Sequence, residues 1–160
     1  MTMEPDAARD DLEERYDFAA WAGRASAPVR FVLDPHALPN SRLRERSPIP
    51  GGADHIDHLE QDQPGSHVAV TVAVRASALD AQQGLLGIIG TSMLPRLPSC
   101  AEAGVEIGDA CFCSPGEPID RVWFTRANVF VRVESVGEQP VSVVDIAAAV
   151  DGQIREAPAG

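Results

Sequence analysis

The sequence predicts a single α+β domain over residues 1–160, a mostly antiparallel sheet of about five strands with helices packed on it. Three observations carry this. His67–Arg75, HVAVTVAVR, alternates with the period of two that a strand imposes on its side chains. Arg121–Glu134 alternates in the same way but changes parity midway. Two stretches, after Ser77 and after Ser142, switch to a helical period behind a residue suited to capping.

At 160 residues the chain is long enough to bury a sizeable core. Its formal net charge is −11, and all 13 basic residues are arginine. That balance argues against nucleic acid, whose phosphates require a basic face, and against an anionic membrane surface. It allows a basic protein partner. The N-terminal MTMEPDAARDDLEERY lacks the basic, apolar and small-residue succession of a signal peptide. The longest apolar run, 84–94, is broken by Gly, Thr and Ser and is too short to span a bilayer. Cytoplasmic residence is the expectation.

Taken in order, residues 5–23 form an amphipathic helix with Leu12, Tyr16, Ala19, Ala20 and Gly23 on one side, and Pro5 and Asp6 suit its first turn. Val29–Leu33 is a short strand. Asp34–Ser66 holds prolines at 35, 39, 48, 50 and 64 and glycines at 51, 52 and 65, and neither period persists, so it is predicted to be a long loop. Loops of that length in compact domains are commonly functional or mobile. In His67–Arg75 the valines share one face, and Ala69, Thr71 and Ala73 leave the other face small.

Ser77 caps a helix through about Ile89, in which Gly84, Gly87 and Gly90 recur every third residue and predict close helix–sheet contact. Gly108–Cys113 is the next strand, and Ser114–Pro118 a turn. The parity change across Arg126–Asn128 is resolved by a hairpin with Asn128 in a left-handed conformation; a bulge at Ala127 is the rival solution. Ser142 with Asp145 opens a last helix whose Val143, Ile146, Ala147, Val150 and Ile154 share one face.

Three groups of residues bear on chemistry. Gly90–Leu97, GTSMLPRL, resembles the nucleophile box of bacterial signal peptidases and self-cleaving repressors, with Gly108-Asp109 matching a later Gly-Asp. That mechanism needs a lysine to accept the serine proton, and the chain has none; arginine stays protonated and does not replace it. Cys111 and Cys113, two apart on a strand, lie on one face roughly 6.5–7 Å apart and do not pair with each other. Cys100 can reach either of them, and three buried thiols is the simpler expectation. Finally, His55 and His58 with Asp54 and Asp57 offer nitrogen and oxygen donors within a few residues, a transition-metal site such as zinc if they occupy one turn or folded loop.

The C-terminal third, Val122–Val133 followed by Asp145-Ile146-Ala147, resembles actinobacterial extracytoplasmic sensor and lipoprotein domains, small α+β folds closing with a Trp-bearing strand, an Asn-Val hairpin and a helix. The chain lacks their secretion signal and paired cysteines. The resemblance implies a binding module with a sheet-lined pocket, not an enzyme.

The expected function is therefore a non-enzymatic binding or accessory protein without a cofactor, engaging a protein partner or a small apolar ligand through His36, His55, His58, His67 and Trp123. A homo-oligomer is compatible with the sequence. The alternatives are a metal-binding protein using His55, His58, Asp54 and Asp57, with Cys113 as an optional further ligand, and an enzyme of unrecognised type with Ser92, His67 or Cys111 as its reactive group. The 34–66 stretch is expected to carry specificity.

Overall fold

The computed structural model describes residues 5–50 and 54–160; Gly51, Gly52 and Ala53, part of the expected loop, lie outside the described residues. The domain is α+β with one antiparallel sheet of six strands, one more than expected. Its elements are α1 (Pro5–Arg15), α2 (Phe18–Ala22), β1 (Ser41–Pro48), β2 (His55–Gln61), β3 (His67–Val74), α3 (Ala78–Gly90), β4 (Ala110–Cys113), β5 (Arg121–Arg126), β6 (Val129–Ser135) and α4 (Val144–Glu156). Across the sheet the strands run β1-β2-β3-β6-β5-β4.

Register decides which side chains share a face. Val70, Val133 and Val122 stand abreast, as do Val72, Val131, Phe124 and Cys111. This face packs on Ile146, Ala147, Val150 and Ile154 of α4 and on Phe31, Leu33 and Leu38 of the segment before β1. The opposite face carries Ala73, Phe130, Trp123 and Phe112, packed beneath Leu85, Leu86 and Ile89 of α3 and the aromatic trio Tyr16, Phe18 and Trp21. Both faces of the central strands are dry, which explains why Trp123 and Phe130 sit at the positions of a nominally polar face.

The hairpin between β5 and β6 resolves the parity change, and its left-handed residue is Ala127, with φ 54°, not Asn128. Asp109 makes that turn possible by accepting the Ala127 N–H at 2.7 Å. The N-terminal helix is two helices, broken at Asp17 with φ 51°. Val29–Leu33 is extended but forms only one bridge, Val29 to Ala159. At α4 the cap position is Val143, without a side-chain bond, while Ser77 caps α3 as expected by accepting the Asp80 N–H at 3.1 Å. Gly84 and Gly87 face open space and serve no close contact; of the three only Gly90 meets a close neighbour, Leu12 of α1, a helix–helix contact and not the expected helix–sheet one.

The largest departure is the 34–66 stretch. It is not a long loop: it holds a turn of 3-10 helix at Pro35–Ala37 and the β1–β2 hairpin. Pro48 is tolerated because it is the last residue of an edge strand, where a missing N–H leaves no ladder bond unmade. Of the three cysteines, Cys100 and Cys111 form a disulfide with Cα atoms 5.3 Å apart, and Cys113 remains a buried thiol. The pairing follows from a short bridge along β4, Ser99 to Phe112, which sets Cys100 opposite Cys111.

Candidate functional site

A cleft of about 1490 Å³ lies on the α4 side of the sheet. Its floor is Val72 and Val74 of β3, His55 of β2, and Arg46 and Pro48 of β1. One wall is the extended segment Val29–Val32 with Asp34 and Ala37; the other is the chain leaving α4, Gln153 and Glu156–Pro158. The β1–β2 hairpin extends the sheet beyond the reach of α4, and the uncovered overhang becomes the cleft. At roughly 300–1,000 Å³ an ordinary small-molecule pocket is smaller, so there is room for an elongated ligand.

The wall is held without a regular strand partner. Arg30 donates its N–H to the Pro158 carbonyl at 2.9 Å, and Gly160 donates to the Pro28 carbonyl at 3.0 Å. Along the segment Phe31 and Leu33 turn into the core, and Val32 turns outward with 80% of its surface exposed at the cleft rim.

An ion pair anchors the floor. Asp57, 0% exposed, receives Arg46 bidentately, Nε to Oδ1 at 2.6 Å and Nη2 to Oδ2 at 2.7 Å. Arg46 Nη2 also donates to the Leu33 carbonyl at 3.1 Å, tying the wall to the floor. The bond to Asp57 outweighs burial and holds the Arg46 guanidinium above its ordinary pKa. A buried carboxylate requires such a partner, because an unpaired one is costly in a dry interior. His55 Nε2 lies 3.7 Å from Asp57 Oδ2, too far for a hydrogen bond, and is buried without a partner.

The residues singled out from sequence disperse. Of His36, His55, His58, His67 and Trp123, only His55 lines the cleft. His36 is exposed on the 3-10 turn, and Trp123 is core under α3. His58 and His67 border a smaller cavity with Arg44, Glu45 and Val136 on the opposite sheet face. His55 and His58 cannot share one ion as a turn would allow, since three residues along a strand place them on opposite faces. Asp57 is committed to Arg46, and Asp54 accepts from Arg75 Nη1 at 2.7 Å and from the Val74 N–H at 3.2 Å. Among the described residues no three His, Cys, Asp or Glu side chains gather as metal ligands do. Ser92, His67 and Cys111 also stand apart: Ser92 accepts the Leu94 N–H in the turn after α3, and Cys111 is oxidised.

The cleft residues that sequence reasoning passed over are Arg46, Asn128, Gln153 and the Val29–Val32 wall. The Arg46–Asp57 pair becomes visible only once β1 and β2 are known to be strands in this register.

No family model, no curated protein and no solved structure matches this chain.

Proposed function

We propose that the protein is a non-catalytic binding module whose cleft takes a small, largely apolar ligand. The observation that carries this is the cleft itself: a floor of Val72, Val74 and Pro48 walled by Phe31, Val32, Ala157 and Pro158, with Arg46 and His55 as the polar groups of that floor. That is the usual composition of a ligand site, mostly apolar with few placed polar groups. The resemblance of the C-terminal third to sensor-type binding domains points the same way.

The test is titration with a neutral apolar fluorophore, N-phenyl-1-naphthylamine. Saturable uptake near one per chain is expected, abolished by Val74→Trp and by Ala37→Trp, both of which fill the cleft. Uptake that survives both substitutions in folded protein would refute the reading.

A further inference from the structure

Resting on that reading, we infer that the cleft selects an uncharged ligand with a carbonyl group, held by the free nitrogen of Arg46. A guanidinium carries five N–H donors. Three are committed here: Nε–H and one Nη2–H to Asp57, and the other Nη2–H to the Leu33 carbonyl. Among the described residues both hydrogens of Nη1 are without acceptors. Arg46 lines the cleft and its side chain is 36% exposed, which leaves this pair of donors open to a ligand there. They are also fixed before any ligand arrives, because the other three bonds leave the guanidinium no freedom to turn. A preorganised donor costs little ordering on binding.

Charge then decides between acceptors. An isolated arginine in an apolar cleft selects a carboxylate. This one does not stand alone, because Asp57 cancels its charge at hydrogen-bond distance. The rest of the lining adds Arg30, which makes no ion pair among the described residues, against Asp34, Asp54 and Glu156, of which Asp54 is paired with Arg75. With Asp57 and Arg75 included, three positive groups face four negative ones. The balance gives no advantage to an anion. Asp34 and Glu156 are exposed at the rim, where charge is screened, so a cation gains little from them either. A neutral acceptor keeps the hydrogen bonds from Nη1 and meets no repulsion. Ketones, esters and amides have that chemistry, and an apolar chain beyond the carbonyl fills the valine floor and meets Val32.

The experiment is a displacement series against N-phenyl-1-naphthylamine with four probes of one chain length: an n-alkane, a methyl ketone, a carboxylate and a primary amine. The methyl ketone is expected to bind about tenfold more tightly than the alkane, the effect of one hydrogen bond from a charged donor. In Arg46→Met/Asp57→Leu that preference should fall to about twofold or less while the alkane still binds. The double variant replaces the buried ion pair by apolar side chains, which folds tolerate better than a broken pair. A carboxylate or amine binding more tightly than the ketone would overturn the inference and leave the apolar cleft standing. A ketone preference undiminished in the double variant would overturn the role of Arg46. Failure of every probe to bind or displace would overturn the cleft reading itself.

Discussion

The side-chain amide of Asn128 exchanges hydrogen bonds with the backbone of Val29, accepting its N–H at 2.8 Å and donating to its carbonyl at 3.1 Å. Five residues on, Gln153 does the same for Asp34, accepting its N–H and donating to its carbonyl, both at 2.9 Å. Two amide side chains thus stand in for a neighbouring strand at the two ends of the cleft wall. Asn128 has a third bond, to the Arg75 carbonyl at 2.9 Å, which satisfies every donor of its amide.

Asn128→Ala is expected to lower unfolding stability by about 3 kcal/mol, since three bonds at about 1 kcal/mol each vanish at a buried site. Gln153→Ala acts on a more exposed amide and should cost about 1 kcal/mol or less, yet weaken fluorophore binding several-fold by freeing the wall. Urea titrations of both variants, run beside binding titrations, check the contrast. Equal losses of stability in the two would contradict it.

The parts of this fold that were legible in the sequence are those whose two sides differ or whose ends are marked. Strand β3 alternates valine with small residues, Ser77 marks the start of α3, and the Val122–Val133 parity change requires a turn at the place where one occurs. The β1–β2 hairpin was illegible for a physical reason. β1, SRLRERSP, is an edge strand with water on most of both sides, so no burial pattern selects its residues. β2, HIDHLEQ, turns His55 and Asp57 toward the cleft and His58 and Glu60 toward solvent. Polar residues on both faces erase the period of two. The candidate site was hidden with them, because Arg46 and Asp57 become partners only through that hairpin.

Glycines separate into two kinds that substitution should distinguish. At Gly108, φ is +67° and an added Cβ would lie 2.5 Å from the Thr125 carbonyl oxygen and 2.9 Å from the Phe124 ring. Gly108→Ala therefore has neither the conformation nor the space, and a loss of roughly 2 kcal/mol or more is expected. Gly84 and Gly87 lie within α3 with nothing within 4 Å of an added Cβ. Replacing each by Ala should raise stability by about 0.5–1 kcal/mol. Thermal melts of the three variants suffice; a destabilised Gly84→Ala would mean that its open helix face is already in use.

The Arg46–Asp57 pair should respond asymmetrically to cutting. Arg46→Ala leaves Asp57, at 0% exposure, charged and without its partner, whereas Asp57→Ala leaves a guanidinium 36% exposed that water can reach. The first is expected to cost about 3–5 kcal/mol and the second distinctly less. Denaturation of wild type and both variants at neutral pH measures this, and an Asp57→Ala loss as large as that of Arg46→Ala would count against it.

Cysteine chemistry supplies the last prediction. Burial, with the negative charge of Glu102 adding to it, pushes the Cys113 thiol above its ordinary value near 9.0. The folded chain therefore keeps a proton at a pH where the unfolded chain has released it. In that window the unfolded state binds fewer protons, so stability falls as pH rises above about 9. The slope from one such group is at most about 1.4 kcal/mol per pH unit. Cys113→Ala should lack this contribution, so the wild-type minus variant stability difference should shrink between pH 8 and pH 10, roughly the range in which a free thiol ionises. The Cys100–Cys111 disulfide closes a loop with a sequence separation of 11, and reducing it should remove about 3 kcal/mol. Without reductant, one of the three cysteines should react with a thiol reagent, and only after denaturation; with reductant, all three should react. Rapid labelling of the native chain, or a flat stability difference across that pH range, would show that the Cys113 thiol is not held protonated in the core.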